Sequence, residues 1–460
     1  MRPISLLELC DVLQSPGGEP ARSVGGNPRV EATGASIDTR TIAPGDLFFA
    51  LPGSQQHGID HAAQALRAGA AAIVTTAELC GRVQGASLVV DDPRAALGRL
   101  ADFMRQSECP GAVAITGSVG KTTTCGYLAQ ILGDRVQVHR PPGSFNNDLG
   151  VPLTILNAPE SCELLICEVG TNAPGEIKTL GSWVRPQVAC ITAVGPAHLE
   201  GFGSIERIEE EKLSLLETLT SNGVGCAPAS LLAKYPGLDL RAPVVTFGAG
   251  GELEVVRHRH APTLSLHWRP EGMVLPVAWD PPAPHAIHNL EAVLAICVGL
   301  GYPLEELLDG IARLQLPPLR GEEEEHAGVR FRLDCYNSNP VSLESAIVRL
   351  ATEPCDGRKV CVLGAMDELG ADEEVWHERL GRLLGRSKLD QVYLVGRGSE
   401  WYRRGLQATG NDGVTIVDDR TAAHRLAEEL APGDQVLFKA SRSVALERFA
   451  RRVARVLEAD

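Results

Sequence analysis

Long apolar runs are missing from this chain of 460 residues. No stretch approaches the roughly 20 uninterrupted apolar residues that a membrane-spanning helix needs. The opening MRPISLLELCDVLQ has Glu8 and Asp11 interrupting a short apolar run of helical spacing, so a signal peptide is not expected. CxxC pairs and Cys/His clusters at zinc-ligand spacing are also missing: the twelve cysteines are scattered singly, which points away from a disulfide framework or a structural metal site. Cationic residues are in deficit, 43 Lys and Arg against 58 Asp and Glu, and a formal charge of −15 argues against a nucleic-acid partner. Aromatics are scarce at 4%, yet hydrophobic residues reach 44%, enough for a core in each of about three domains. The expectation is a soluble, cytoplasmic, monomeric protein with reduced thiols, in which any anionic ligand is held locally by loops.

Short strands (DLFFAL, AAIVTT, ASLVV) alternate with helical runs such as Ile59 to Arg67 over residues 1–108, predicting a small α/β domain that ends in the polar turn Gln106 to Pro110. From Gly111 the pattern is strand then helix: GAVAIT, a helix over Lys121 to Leu132, ELLICE, a helix after Pro174, and VACITAV. Strands of such continuous apolar character predict a parallel sheet covered on both faces. A β-rich excursion from about Arg241 to Pro284 precedes the helix in HNLEAVLAICVGLGY. Pro317 to Gly328, with Pro, Gly and a charge run, is the candidate for a second boundary, and Glu322 to Glu325 read as a solvated linker. Beyond it KVCVLG, QVYLVG, VTIV and QVLFK alternate with helices, as in an open doubly wound sheet. The reading is an α/β chain of three domains: a small N-terminal domain over 1–108, a central P-loop parallel-sheet domain over 109–318, and a C-terminal Rossmann-like domain over 319–460.

The stretch AITGSVGKTTTCGY carries the clearest chemistry. A strand running into a glycine-rich turn and then a helix aims consecutive backbone N–H groups at one spot, where the helix dipole also favours negative charge. The full GxxxxGK[ST] spacing is not met, because Ile115 stands at the place of its first glycine. The shorter TGSVGKTT keeps Thr116, Gly117, Ser118, Val119, Gly120, Lys121, Thr122 and Thr123 as a phosphate cradle, with Thr122 placed to reach a magnesium ion. Magnesium takes oxygen ligands, usually one or two from protein, and Glu168 ends the apolar strand ELLICE, the edge where ligands bind in such sheets. Further on, Ile205, Ile208, Lys212, Leu215 and Leu216 share a helical face. Lys212 therefore either snorkels outward or is desolvated with a lowered pKa, while the three glutamates before it point elsewhere.

TGSVGKTT resembles the ATP loop of the Mur ligases and their folylpolyglutamate synthetase relatives, which phosphorylate a carboxylate with ATP and join it to an amine. The likeness runs from about Ser36 to Glu447. It implies that Glu168 and His198 of PAHLEGFG bind metal, and that Lys212 is carbamylated and supports the second of two Mg²⁺ ions. SIDTRTIAPGDLFFALPGSQQHG is similar to the first-domain motif that receives a uridine nucleotide, through Ser36, Asp38, Thr39 and Arg40, with Arg40 offering a fork for phosphate or carboxylate oxygens. FNNDLGVPLT resembles the loop over the muramyl substrate, through Asn146, Asn147 and Thr154.

PAHLEGFGS and DCYNSNPVS are similar to the MurF type, which adds D-alanyl-D-alanine. By that match Asp334 binds the ATP ribose, Tyr336 and Asn337 border the nucleotide, Asn289 faces adenine, and Arg320 reaches the γ-phosphate across the domain gap. Lys439 and Ser441 of KASR stand on the substrate side. The chain departs from the family pattern at Ala292 in HNLEA, Ala365 in LGAMDELG, Ala440 in KASR and Leu319 before Arg320. Ala365 and Ala440 fall where the incoming dipeptide is expected. The activity implied is ATP-dependent joining of D-Ala-D-Ala to the C-terminal carboxylate of UDP-MurNAc-tripeptide through an acyl phosphate, with Lys121, His198, Lys212 and Arg320 in catalysis. Two rivals remain: a Mur-type ligase for another amine, and a P-loop NTPase without ligase activity.

Overall fold

The computed structural model describes residues 1–15, 17–53, 56–107, 111–141, 143–195, 199–258, 263–282, 284–410, 414–417 and 422–459. Among them, three larger sheets follow one another along the chain, each flanked by helices, so the fold is α/β throughout. None of the described helices is long and apolar enough to cross a membrane.

The first sheet orders its strands Arg22–Val24, Ser87–Val89, Ala72–Thr75, Asp46–Phe49 and Gly34–Ser36, parallel except for the first. Helix Pro93–Ser107 follows it and packs on helices Gly150–Leu156 and Glu176–Val184 of the next region. Buried Arg105 fastens this contact by donating from Nε to the Val184 carbonyl at 2.9 Å. Asn157 extends strand Gly34–Ser36 as a further strand residue would: its Nδ2 donates to Ala35 O at 2.9 Å and its Oδ1 accepts from Ala35 N at 3.1 Å. The first sheet is thereby fixed against the central one.

In the central sheet the strands run Val138–His139, Leu164–Glu168, Gly111–Thr116, Val188–Ile191, Val224–Pro228, Val244–Phe247 and Leu253–Arg257, all parallel, and Leu264–Trp268 with Met273–Val277 extend the far edge in antiparallel fashion. The continuous apolar runs have a plain cause, since both faces are covered. Val113 and Ile115 pack with helices Lys121–Leu132 and Pro284–Gly299, whereas Ala112 and Ala114 face the core shared with helix Glu176–Val184. From Gly111–Thr116 the chain winds one way to Leu164–Glu168 and the other way to Val188–Ile191, a reversal that opens a crevice at the carboxyl ends of the strands.

The third sheet orders Glu322–His326, Val329–Asp334, Gln435–Lys439, Lys359–Leu363, Gln391–Val395 and Val414–Val417, parallel apart from the first pair. Here the sequence reading needs correction. Glu322 to Glu325 are no solvated linker but part of an antiparallel edge strand on Val329–Asp334. Glu323 is held by cations from elsewhere: its Oε1 accepts from Arg332 at 2.7 Å and from Arg349 at 3.1 Å. Just before this strand Leu319 sits at φ +60°, in the left-handed region that favours glycine.

Candidate functional site

The turn between strand Gly111–Thr116 and helix Lys121–Leu132 lies at the mouth of the crevice. Two of its glycines are required by geometry. A Cβ on Gly120, at φ +89°, would come 2.3 Å from Asn289 Oδ1, and one on Gly117 would come 2.0 Å from Thr192 Oγ1. The turn is tied to the neighbouring strand by Ser118 N donating to Ala193 O at 2.7 Å and by Thr192 Oγ1 donating to Val119 O at 2.6 Å. Its N–H groups thus open onto a cavity of about 850 Å³ lined on one side by Ser118 to Thr123 and on the other by the third domain. A phosphate fits such a cradle.

Charged and polar groups converge on Thr122. Its hydroxyl donates to Glu168 Oε2 at 2.8 Å, lies 3.1 Å from Ser144 Oγ, and accepts from Arg320 Nη2 at 2.9 Å. Glu168 is buried at the end of its strand, and its second oxygen accepts from Asn146 Nδ2 at 2.9 Å. Lys121 folds back to donate to Gly117 O at 2.7 Å. Burial holds its ammonium below the ordinary lysine value, Glu168 opposing the shift and Arg320 adding to it. Arg320 stacks over the Tyr336 ring at 4.3 Å, and its buried Nε finds no partner among the described residues. A donor orphaned beside the phosphate turn suits an anionic oxygen.

Across the gap Asp334, Tyr336, Asn337 and Lys439 line the same cavity. Asp334 and Lys439 end adjacent strands in register, so their side chains meet. Tyr336 OH accepts from Ser144 N at 3.0 Å and closes the third domain onto the loop Ser144 to Asn147. Asn289, buried on helix Pro284–Gly299, stands beside Gly120.

Lys212 lies on helix Ile205–Leu213, 1% exposed. Desolvation, with the nearby Lys121 charge in support, lowers its pKa to about 7, against Glu211 and Glu176. The side chain is not among the groups that line the cavity. The expectation that the three preceding glutamates point elsewhere fails for two of them. Glu209 is buried against Lys234 and Tyr235, and Glu211 caps helix Glu176–Val184 by accepting from Gly175 N at 2.8 Å and Ile177 N at 2.9 Å. His198 lies outside the described residues.

A second cavity, about 960 Å³, lies between the first and central domains and is lined by Ser36, Asp38, Asn147 and Thr154. It shares Ser144 and Asn147 with the first, so the two join at the loop Ser144 to Asn147. Not every motif residue faces a cavity. Arg40 turns outward, its side chain 84% exposed, because Asp38 accepts from its Nη2 at 2.6 Å and from its backbone N at 2.9 Å. Thr39 lines neither cavity. Thr116 is fully buried in its strand, and Ser441 is buried between the Ser338 carbonyl and Asp367 N, at 3.1 and 2.8 Å. Ser144 and Glu368 were missed by the sequence reading. Ser144 stands two residues before Asn146, but serine in a Pro-Gly turn carries no signal of its own; Glu368 lay within LGAMDELG, a motif weighed only at Ala365.

Comparison with known proteins agrees along the chain. Residues 31–105 match the Mur ligase family catalytic domain, 115–297 the Mur ligase middle domain, and 319–442 the Mur ligase glutamate ligase domain. The UDP-N-acetylmuramoyl-tripeptide–D-alanyl-D-alanine ligase of Bacillus subtilis (strain 168) is 31% identical over 442 residues, 92% of this chain and 94% of that protein. The enzyme of the same name from Escherichia coli (strain K12) is 32% identical over 430 residues, covering 90% and 92%. Among solved structures, MurF from Acinetobacter baumannii superposes with a TM-score of 0.85 at 27% identity over 99% of both chains. The MurF ligase from Thermotoga maritima in complex with ADP gives 0.79 at 28%, covering 93% of this chain and 98% of that one.

Proposed function

The chain belongs to the Mur ligase family, among the UDP-N-acetylmuramoyl-tripeptide–D-alanyl-D-alanine ligases, and we propose that it joins D-alanyl-D-alanine to the terminal carboxylate of UDP-MurNAc-tripeptide with cleavage of ATP to ADP. The observation that carries this reading is the convergence of Lys121, Thr122, Glu168 and Arg320 at the strand ends, where the substrate cavity meets the nucleotide cavity. In the first step a carboxylate oxygen attacks the γ-phosphorus, giving an acyl phosphate and ADP. In the second the dipeptide amine attacks the acyl carbon and phosphate leaves.

Two anions must approach each other in the first step. Lys121 from the phosphate turn and Arg320 from the start of the third domain both line this cavity, and would offset both the repulsion and the charge gathering on the transferred group. Asn289 suits the adenine side, and Asp334, held by Lys439, suits the ribose hydroxyls. Ser36, Asp38, Asn147 and Thr154 suit the uridine and muramyl end. Tyr336 on Ser144 N helps close the third domain over the acyl phosphate, which water would destroy.

Thr122 and Glu168 would hold one Mg²⁺, which supplies further charge neutralisation at the phosphates. Lys212, with its pKa near 7, has a large neutral fraction at physiological pH. The neutral amine adds to carbon dioxide with loss of a proton, and the resulting carbamate, with His198, would support a second Mg²⁺.

The test is phosphate release by the purified chain given ATP, UDP-MurNAc-tripeptide and a panel of amines. Release that depends on both peptide and D-Ala-D-Ala supports the reading. Release with a different amine moves the chain to another ligase specificity, and release with no amine favours a simple NTPase.

A further inference from the structure

We propose that residues 144–148 form a coupling loop between the nucleotide and substrate cavities, with Tyr336 and Arg94 as the positioning residues that hold it from its two ends. The inference rests on the ligase reading and names the parts through which the two anionic substrates affect each other's binding.

The start, middle and end of the loop are each held by a different part of the chain. At the start, Ser144 N donates to Tyr336 OH at 3.0 Å, and Ser144 Oγ lies 3.1 Å from Thr122 Oγ1. In the middle, Asn146 Nδ2 donates to Glu168 Oε1 at 2.9 Å, and Gly170 N donates to Asn146 O at 2.7 Å. At the end, Asp148 meets Arg94 in a two-pronged ion pair, Nη2 donating to Oδ1 at 2.8 Å and Nε to Oδ2. Tyr336 follows strand Val329–Asp334 of the third sheet, Glu168 ends a strand of the central one, and Arg94 lies in the first turn of the helix after the first.

Ser144 and Asn147 line both cavities, so a shift of the loop reshapes both. The supports at its two ends are firm. Tyr336 N donates to Leu319 O at 3.2 Å and Gly321 N to Leu333 O at 2.8 Å, so Arg320 and Tyr336 form one bracket, the guanidinium lying 4.3 Å over the ring. At the other end Asn147 Oδ1 accepts from Gly150 N at 2.9 Å, which fixes the loop to the start of helix Gly150–Leu156. That helix leads to Asn157 and its two bonds to Ala35 of the first sheet.

A phosphate oxygen bound by Arg320 gives its orphaned Nε an acceptor and fixes the bracket. The bracket then seats Ser144 through the Tyr336 hydroxyl. UDP-MurNAc-tripeptide meets a wall already ordered, so less freedom is lost when it binds. By linkage the effect is reciprocal, and the bound peptide substrate raises the affinity for ATP by the same factor. Arg94 is needed because a loop released at Asp148 absorbs the pull of Tyr336 without moving the wall.

The experiment titrates UDP-MurNAc-tripeptide into the full-length protein with and without Mg²⁺ and a non-hydrolysable ATP analogue. Wild type is compared with Tyr336→Phe, Arg94→Gln and the double variant, and the readout is the ratio of the two dissociation constants. In wild type we expect nucleotide to tighten binding about 10-fold, inside the usual range for coupled sites. Tyr336→Phe keeps a ring over Arg320 but loses the acceptor of Ser144 N, and its ratio should fall to about 2 or less. Arg94→Gln should do the same, and the double variant should lose no more than either single one, since both act through one loop. Arg94→Lys, which still offers Asp148 a cation, should keep part of the ratio. A purely structural role would weaken binding equally with and without nucleotide and leave the ratio at its wild-type value. That result in folded Tyr336→Phe overturns the proposal. Should Tyr336→Phe fail to fold, the same result in Arg94→Gln does so, at a side chain that is 55% exposed. Wild-type binding that nucleotide leaves unchanged also overturns it. A wild type that binds no UDP-MurNAc-tripeptide in either condition overturns the ligase reading, and this proposal with it.

Discussion

Lys439 and Asp334 end neighbouring parallel strands in register, and the Lys439 ammonium donates to Asp334 Oδ2 at 2.7 Å and to the Asn337 carbonyl at 3.1 Å. Lys439 is 1% exposed, so in the proposed nucleotide site it would act by aiming Asp334 and Asn337. Lys439→Met is expected to cost roughly 3 kcal/mol in the third domain, the lower end for breaking a buried pair, because Asp334 retains some solvent. It should also raise KM for ATP. Adding Asp334→Asn should restore part of the stability and none of the ATP affinity, as read by urea unfolding beside steady-state kinetics.

Lys212 offers a chemical signature. Lys212→Ala is expected to lose activity, and added short carboxylates should return part of it by standing in for the carbamate. Stripping carbon dioxide from wild type should lower activity, and bicarbonate should restore it. Full activity of the alanine variant would refute the carbamate role.

His377 and His326 predict opposite pH responses. His377 is buried, donates from Nδ1 to Glu373 O at 2.6 Å and accepts Met366 N at Nε2, so burial lowers its pKa and the folded state keeps it neutral. Below about pH 6.5 the unfolded chain binds a proton that the folded chain excludes, and stability falls as pH drops. His326 stands between Glu458 at 2.6 Å and Glu324 at 3.1 Å, which raise its pKa against the desolvation that opposes them. Its contribution is full below about pH 6.5 and is lost as pH rises through the raised value. Unfolding free energy against pH should flatten at the acid end in His377→Gln and at the neutral end in His326→Ala.

Glu211 links the lysine-bearing helix to the start of helix Glu176–Val184 through two backbone N–H groups. Glu211→Ala leaves both without their acceptor and is expected to cost about 1–2 kcal/mol, a typical loss for a helix cap. Glu211→Gln, which keeps one acceptor oxygen, should cost less; urea denaturation of the two variants reads the difference.

What could be read from the sequence was what neighbouring residues decide among themselves. The strand, turn and helix around Lys121 were legible because glycine spacing and an apolar run lie within a few residues of each other, and the observed helix spans Lys121–Leu132. The α/β class was legible in strands whose apolar runs are continuous because helices cover both faces. Glu209, Glu211 and Glu323 were misread because the groups that hold them, Lys234 and Tyr235, Gly175 and Ile177, and Arg332 and Arg349, come from elsewhere in the chain. Arg40 turns outward for a local reason: Asp38, two residues before it, holds the guanidinium. At Leu319, where the family resemblance implies a glycine, the backbone takes the left-handed conformation despite the side chain. Only coordinates could show that.

The central claim is that a phosphoryl group passes to the peptide carboxylate before the amine attacks. Heavy-oxygen label in both terminal carboxylate oxygens of UDP-MurNAc-tripeptide tests this directly, with mass analysis of the phosphate released during ligation to D-Ala-D-Ala. The account predicts one labelled oxygen in each phosphate, carried over from the acyl phosphate bridge. Phosphate released without label would contradict it.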